Sequence, residues 1–239
     1  MTRLLTGEMI KVRTTRTALG FGIAAILLTI AHVLISILSG KPIAIQDKRA
    51  ALDFGGPVAV VLLVYGAVGA TGEFRHRTLA PAVLIAPDRF RLVVARIGAY
   101  ALSAGVFGVV MAVVAFAPGL PLLADRAGTD LVFSDYASIA TGGLLAVILS
   151  AALGVGVGTL VRNQVAAVVG IFVWLLILEP LVGLIDEDWV KYTILTATGA
   201  LGQGGNNDAS MLTAALVLTS WTAALSLGGV LVDRRRDVD

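Results

Sequence analysis

The sequence predicts an all-α fold: a polytopic membrane helix bundle with six transmembrane helices and cytoplasmic N- and C-termini. Three observations carry that expectation. Hydrophobic residues fill 57% of the 239 positions and charged residues only 14%, whereas a water-soluble domain carries roughly a quarter of its residues charged. Five stretches free of Asp, Glu, Lys and Arg reach spanning length, and a sixth contains a single charge. The basic residues collect in alternate connections, which sets an orientation.

A spanning helix needs about 20 mostly apolar residues. The charge-free stretches are 17–40, 54–72, 97–124, 136–161 and 209–232, and the sixth, 163–185, holds Glu179. Spans are therefore expected near 18–38, 55–72, 93–117, 137–160, 165–184 and 211–232, as one transmembrane domain over 1–239. Backbone groups in lipid must be satisfied within the segment, so each run reads as a helix. The alternating short strands of a membrane β-barrel are missing.

With the N-terminus inside, thirteen of the eighteen Lys and Arg residues fall on the inner side. They lie before the first span, between the second and third (Arg75, Arg77, Arg89, Arg91, Arg96), at Arg162, and at Arg234, Arg235 and Arg236. Lys41, Lys48, Arg49, Arg126 and Lys191 fall outside. The first apolar run exceeds the usual h-region of a signal peptide and lacks a small-residue cleavage site, so it is expected to stay as a span. Arginine outnumbers lysine, which suggests a bacterial source and hence the bacterial cytoplasmic membrane.

Between the spans, residues 2–15 read either as a short interfacial helix, with Leu5, Met9 and Val12 near one face, or as a basic tail. The outer loops are expected at 39–54, at 118–135 with Pro118 and Pro121, and at about 185–210. The last starts Asp186-Glu187-Asp188, read as a solvated acidic edge rather than a cation site. Trp189 and Tyr192 next to apolar residues favour a short helix on the outer face. The Gly199–Gly205 stretch reads as a flexible loop.

The chain has no cysteine, which removes disulfides, thiolate metal sites and cysteine nucleophiles. No metal ligand set, catalytic constellation or cofactor site is apparent. A phosphate-binding loop needs Gly-x-x-x-x-Gly-Lys-Ser/Thr. Gly40-Lys41 is followed by Pro42 and has Ile35 where the first glycine belongs. His32, alone in the first span, is expected to donate an interhelical hydrogen bond, and Gly154, Gly156 and Gly158, with Gly66 and Ala70, to allow close helix packing. Glu179 is costly at membrane depth and is usually matched by a partner or cavity. It reads as either part of a translocation path or a hydrogen-bonded structural residue, with Pro180 loosening the helix beside it.

The most informative segment is the inner connection Gly72-Glu73-Phe74-Arg75-His76-Arg77-Thr78-Leu79, followed by Leu84-Ile85-Ala86-Pro87-Asp88-Arg89. Pro87 suits a helix start and Asp88 its first turn. These pieces are followed in order by Val155-Gly156-Val157-Gly158-Thr159-Leu160-Val161-Arg162-Asn163-Gln164, Ala166-Ala167, Trp174 and Glu179-Pro180. The succession resembles the type-2 family of ABC transporter permeases over essentially the whole chain. The resemblance implies a permease subunit of an exporter, half of a substrate path, with no ATPase of its own. It also implies docking of Glu73, Phe74, Arg75, His76, Arg77, Thr78 and Leu79 on a cytoplasmic ABC ATPase subunit, which binds the ATP. A second permease copy or a homologous permease would complete the path. The alternatives are a membrane-embedded enzyme and an ATP-independent transporter or channel; nucleic acid is not an expected partner.

Overall fold

The computed structural model describes residues 2–40, 42–75, 89–124, 126–128 and 130–235. Among these residues the chain is helical with no strand, and six helices are long and apolar enough to cross a membrane. The chain is a membrane protein of the expected all-α, six-span class.

The helices follow in order: α1 Thr2–Thr14, α2 Arg16–Leu38, α3 Ile45–Leu52, α4 Gly56–Arg75 and α5 Arg89–Ala124. Then come α6 Phe133–Val161, α7 Gln164–Ile185, α8 Glu187–Val190, α9 Ile194–Gly202 and α10 Met211–Arg235. The spans are α2, α4, α5, α6, α7 and α10. An even number of crossings returns both termini to one face, which the basic residues mark as inner.

At the centre stands α6, against which α4, α5 and α10 all pack. Its glycines explain how. A Cβ on Gly154 would lie 1.9 Å from the Leu63 carbonyl oxygen, and one on Gly66 of α4 would lie 2.1 Å from that of Ala151. The two backbones therefore touch, as small residues in spanning helices allow. Gly158 extends the seam along Ala67 and Ala70, while Gly156 faces Ser226 of α10. The helix-packing expectation for these glycines holds.

An aromatic cluster ties α2, α4 and α5. Tyr65 lies 4.9 Å from Tyr100, 5.6 Å from Phe21 and 5.9 Å from Phe107, ring centre to ring centre. Its hydroxyl shares a 2.8 Å hydrogen bond with Ser103, so its one polar atom is satisfied in the core. The outward faces of the spans stay apolar, as at Leu27, Val106 and Leu176. In water such faces would drive aggregation; in lipid they are the ordinary surface.

Of the two readings of the N-terminal stretch the helix holds, and three expectations for the other connections change. Residues 2–14 form a helix, packed by Val12 and a buried Glu8 on the inner end of α5, where the Arg96 Nε lies 3.6 Å from the Glu8 carboxylate. The stretch 39–54, expected as a loop, contains α3. Helix α5 runs through Pro118 and Pro121 to Ala124 instead of stopping near 117. There Leu52 of α3 packs on Gly119 so closely that a Cβ would lie 2.5 Å from it, and this tertiary packing offsets the missing proline N–H groups. Lastly, Gly199 and Gly202 belong to α9, and only Gly204 and Gly205, both at positive φ, form the turn that leaves it.

Candidate functional site

The docking segment expected at Glu73–Leu79 lies largely outside the described residues. The backbone of Glu73, Phe74 and Arg75 forms the last turn of α4, and His76, Arg77, Thr78 and Leu79 lie beyond it. The described part of the segment thus ends a helix seated along the central α6.

At Glu179 the geometry is fully described. The residue is 6% exposed, and its carboxylate accepts three hydrogen bonds. The backbone N–H of Ile194 donates at 2.8 Å, that of Leu195 at 2.8 Å and the Trp174 indole Nε1–H at 3.0 Å. Ile194 and Leu195 open α9, whose first amides have no partner within their own helix. Glu179 supplies that partner from another helix and places negative charge at the favourable end of the α9 dipole. Thr193 contributes a second, local cap by accepting from the Thr196 N–H at 3.4 Å.

The sequence sets this up through a local irregularity. In a regular α-helix, positions five apart point about 140° away from each other. Over Trp174–Leu178 the chain makes a π-helical turn, with the Glu179 N–H donating to the Trp174 carbonyl. That wider turn brings residues 174 and 179 to one face, where their side chains meet. Pro180, which has no N–H to give to the helix ladder, follows immediately. Such turns within α-helices are frequent at functional sites.

The Trp174 ring meets Trp221 of α10 edge to face, with centres 5.4 Å apart. The Trp221 indole N–H in turn donates to the Tyr192 carbonyl at 3.1 Å. Glu179, Trp174, Trp221 and Tyr192 therefore join two spans to the outer segment. Neither tryptophan was singled out for this role from the sequence, because their partners lie far along the chain or across a non-α turn.

A second polar layer closes the outer end. Arg49 and Asp135 form a close ion pair, and Asp135 also accepts from the Val132 N–H at the start of α6 at 2.9 Å. Lys48, almost wholly buried, points its ammonium at Asp130, 3.6 Å away. The Gln46 side chain donates to that of Gln203 at 2.8 Å. Asp53 accepts from the Gly55 and Gly56 N–H groups, both at 2.8 Å, at the start of α4. A Cβ on Gly202 would meet the Asp53 carboxylate at 1.9 Å, so α9 can lie there only with glycine. Asp53 has a legible signal, an Asp shortly before a helix that opens Gly-Pro; the partners of Lys48 and Arg49 have none. The His32 Nε2–H donates to the Ala50 carbonyl at 3.0 Å, the interhelical bond expected of it.

These contacts brace the helices against one another at the outer end. Among the described residues no group of three acidic or histidine side chains could hold a metal ion. Asp186 accepts from the Asp188 N–H at 2.9 Å and caps α8, while Asp188 pairs with Lys191 at 3.4 Å. Compared with known proteins, the chain matches no family model and no curated protein.

Proposed function

We propose that the chain is the membrane-spanning permease subunit of an ABC exporter, forming half of a translocation path powered by a separate ATPase subunit. One observation carries the reading: the order of the motif pieces along six spans, from Gly72–Leu79 through Ala86-Pro87-Asp88-Arg89 and Val155–Gln164 to Glu179-Pro180. Its setting is the bacterial cytoplasmic membrane. Its partners are a cytoplasmic ABC ATPase that binds ATP and a second permease, identical or homologous.

The mechanism follows from where the pieces sit. A membrane subunit driven by an ATPase needs an inner projection rigidly continuous with the bundle, so that movement at the partner becomes movement of helices. Helix α4 supports this reading, since it ends in Glu73–Arg75 and lies in backbone contact with α6. Mixed charge beside apolar residues from Glu73 to Leu79 suits an oriented protein contact.

Co-purification in mild detergent with candidate ATPases tests the proposal. The permease is expected to retain one ATPase, and Glu73→Ala or Arg75→Ala to weaken that complex. Retention of none, with both substitutions silent, rejects it. Loss of a lipid- or peptide-modifying activity in Glu179→Gln without any ATPase would instead favour an enzyme, and flux in liposomes without ATP a channel or secondary carrier.

A further inference from the structure

A cavity of about 230 Å³ lies between the spans on the side of α7 and α10. Its lining includes Leu153 and Val157 of α6, Gly170 and Ile171 of α7, and the rings of Trp174 and Trp221. Helices α7 and α10 do not pack closely on one another, and the two indoles bridge the gap between them. Every lining side chain is apolar except for the indole N–H groups, and each of those is occupied, one by Glu179 and the other by the Tyr192 carbonyl.

The position of the indoles is the second observation. Tryptophans of membrane proteins gather at headgroup level. Trp174 and Trp221 each stand ten residues inside their helices, about 15 Å from the helix start and so near mid-bilayer. Hydrogen bonds at both rings hold them there as a fixed roof. Below the roof the cavity follows α7 down to Ala167, roughly 10 Å of helix rise. That is most of the hydrocarbon depth of one leaflet, about 15 Å.

We propose that this cavity is a binding site for one acyl chain of an inner-leaflet phospholipid, with its end under the Trp174–Trp221 roof. A preformed apolar cavity extending over this depth matches a hydrocarbon chain and excludes headgroups, for which it offers no free polar partner. The site does not depend on the permease reading; it needs only the six-span bundle in lipid.

The test uses the full-length chain carrying Trp189→Phe, so that Trp174 and Trp221 are the only tryptophans left. A phosphatidylcholine brominated along one acyl chain is titrated into detergent micelles holding the protein, and indole fluorescence is read. The expected result is a saturable quench. Gly170→Leu should abolish it, because a side chain there starts in open space on the cavity wall. Leu225→Trp would add a fluorophore, so Leu225→Phe, which fills the slot from α10, serves as the second variant if Gly170→Leu does not fold. Helical circular dichroism and a single elution peak establish folding. Quenching that rises without saturating, or that saturates equally in the folded variants, means annular lipid contact only and overturns the proposal.

Discussion

Glu179 shows how one residue can connect elements that the chain order keeps apart. Two of its three donors are the first amides of α9, fifteen and sixteen residues away. Glu179→Gln replaces one acceptor oxygen with an NH2 group facing N–H donors, so at least one buried amide loses its partner. An unsatisfied buried group costs about 1–3 kcal/mol. Thermal unfolding in detergent should register a loss of that order. Hydrogen exchange should speed up at Ile194 and Leu195 well before it does in α6. Unchanged exchange at those two amides would mean the carboxylate does not cap α9. The sequence marks Glu179 as an acid needing a partner, but says nothing of which one, because the partner is backbone brought in by folding.

Among the elements, the α4–α6 seam and the lipid-facing helices obey opposite rules for the same residue type. A Cβ on Gly154 would lie 1.9 Å from a carbonyl oxygen, whereas one on Gly20 of α2 would have no neighbour within 4 Å. Gly154→Ala should therefore force the two helices apart and sharply reduce the folded yield. Gly20→Ala should be neutral or stabilising, by up to about 1 kcal/mol of helix propensity. Yield and detergent melting of the two variants, measured side by side, decide it; equal behaviour would contradict the seam. The spacing of glycines in α6 was legible as close packing. The continuation of α5 past Pro118 was not, since it depends on Leu52 of α3 covering Gly119.

For the whole molecule, six crossings and the basic inner flanks make a topology that can be read chemically. The chain has no cysteine, so single substitutions need no prior engineering. Asn207→Cys, in the exposed outer turn after α9, should react with a membrane-impermeant maleimide on intact cells, and Thr14→Cys, exposed at the C-terminal end of α1 before the first span, only after lysis. The reverse pattern would invert the orientation. The number of spans and their approximate limits were legible in the sequence itself, because the cost of charge in hydrocarbon acts locally on every residue, and the basic flanks set the sidedness to be expected. A short outer-face helix was expected near Trp189 and Tyr192, and α9 answers it; helix α3, the seat of α9 on Glu179 and Asp53, the Arg49–Asp135 and Lys48–Asp130 pairs and the pairing of Trp174 with Trp221 were decided only by tertiary structure. Their energetics rest on partners distant in the chain, and on a π-helical turn that redirects Trp174 and Glu179 to one face.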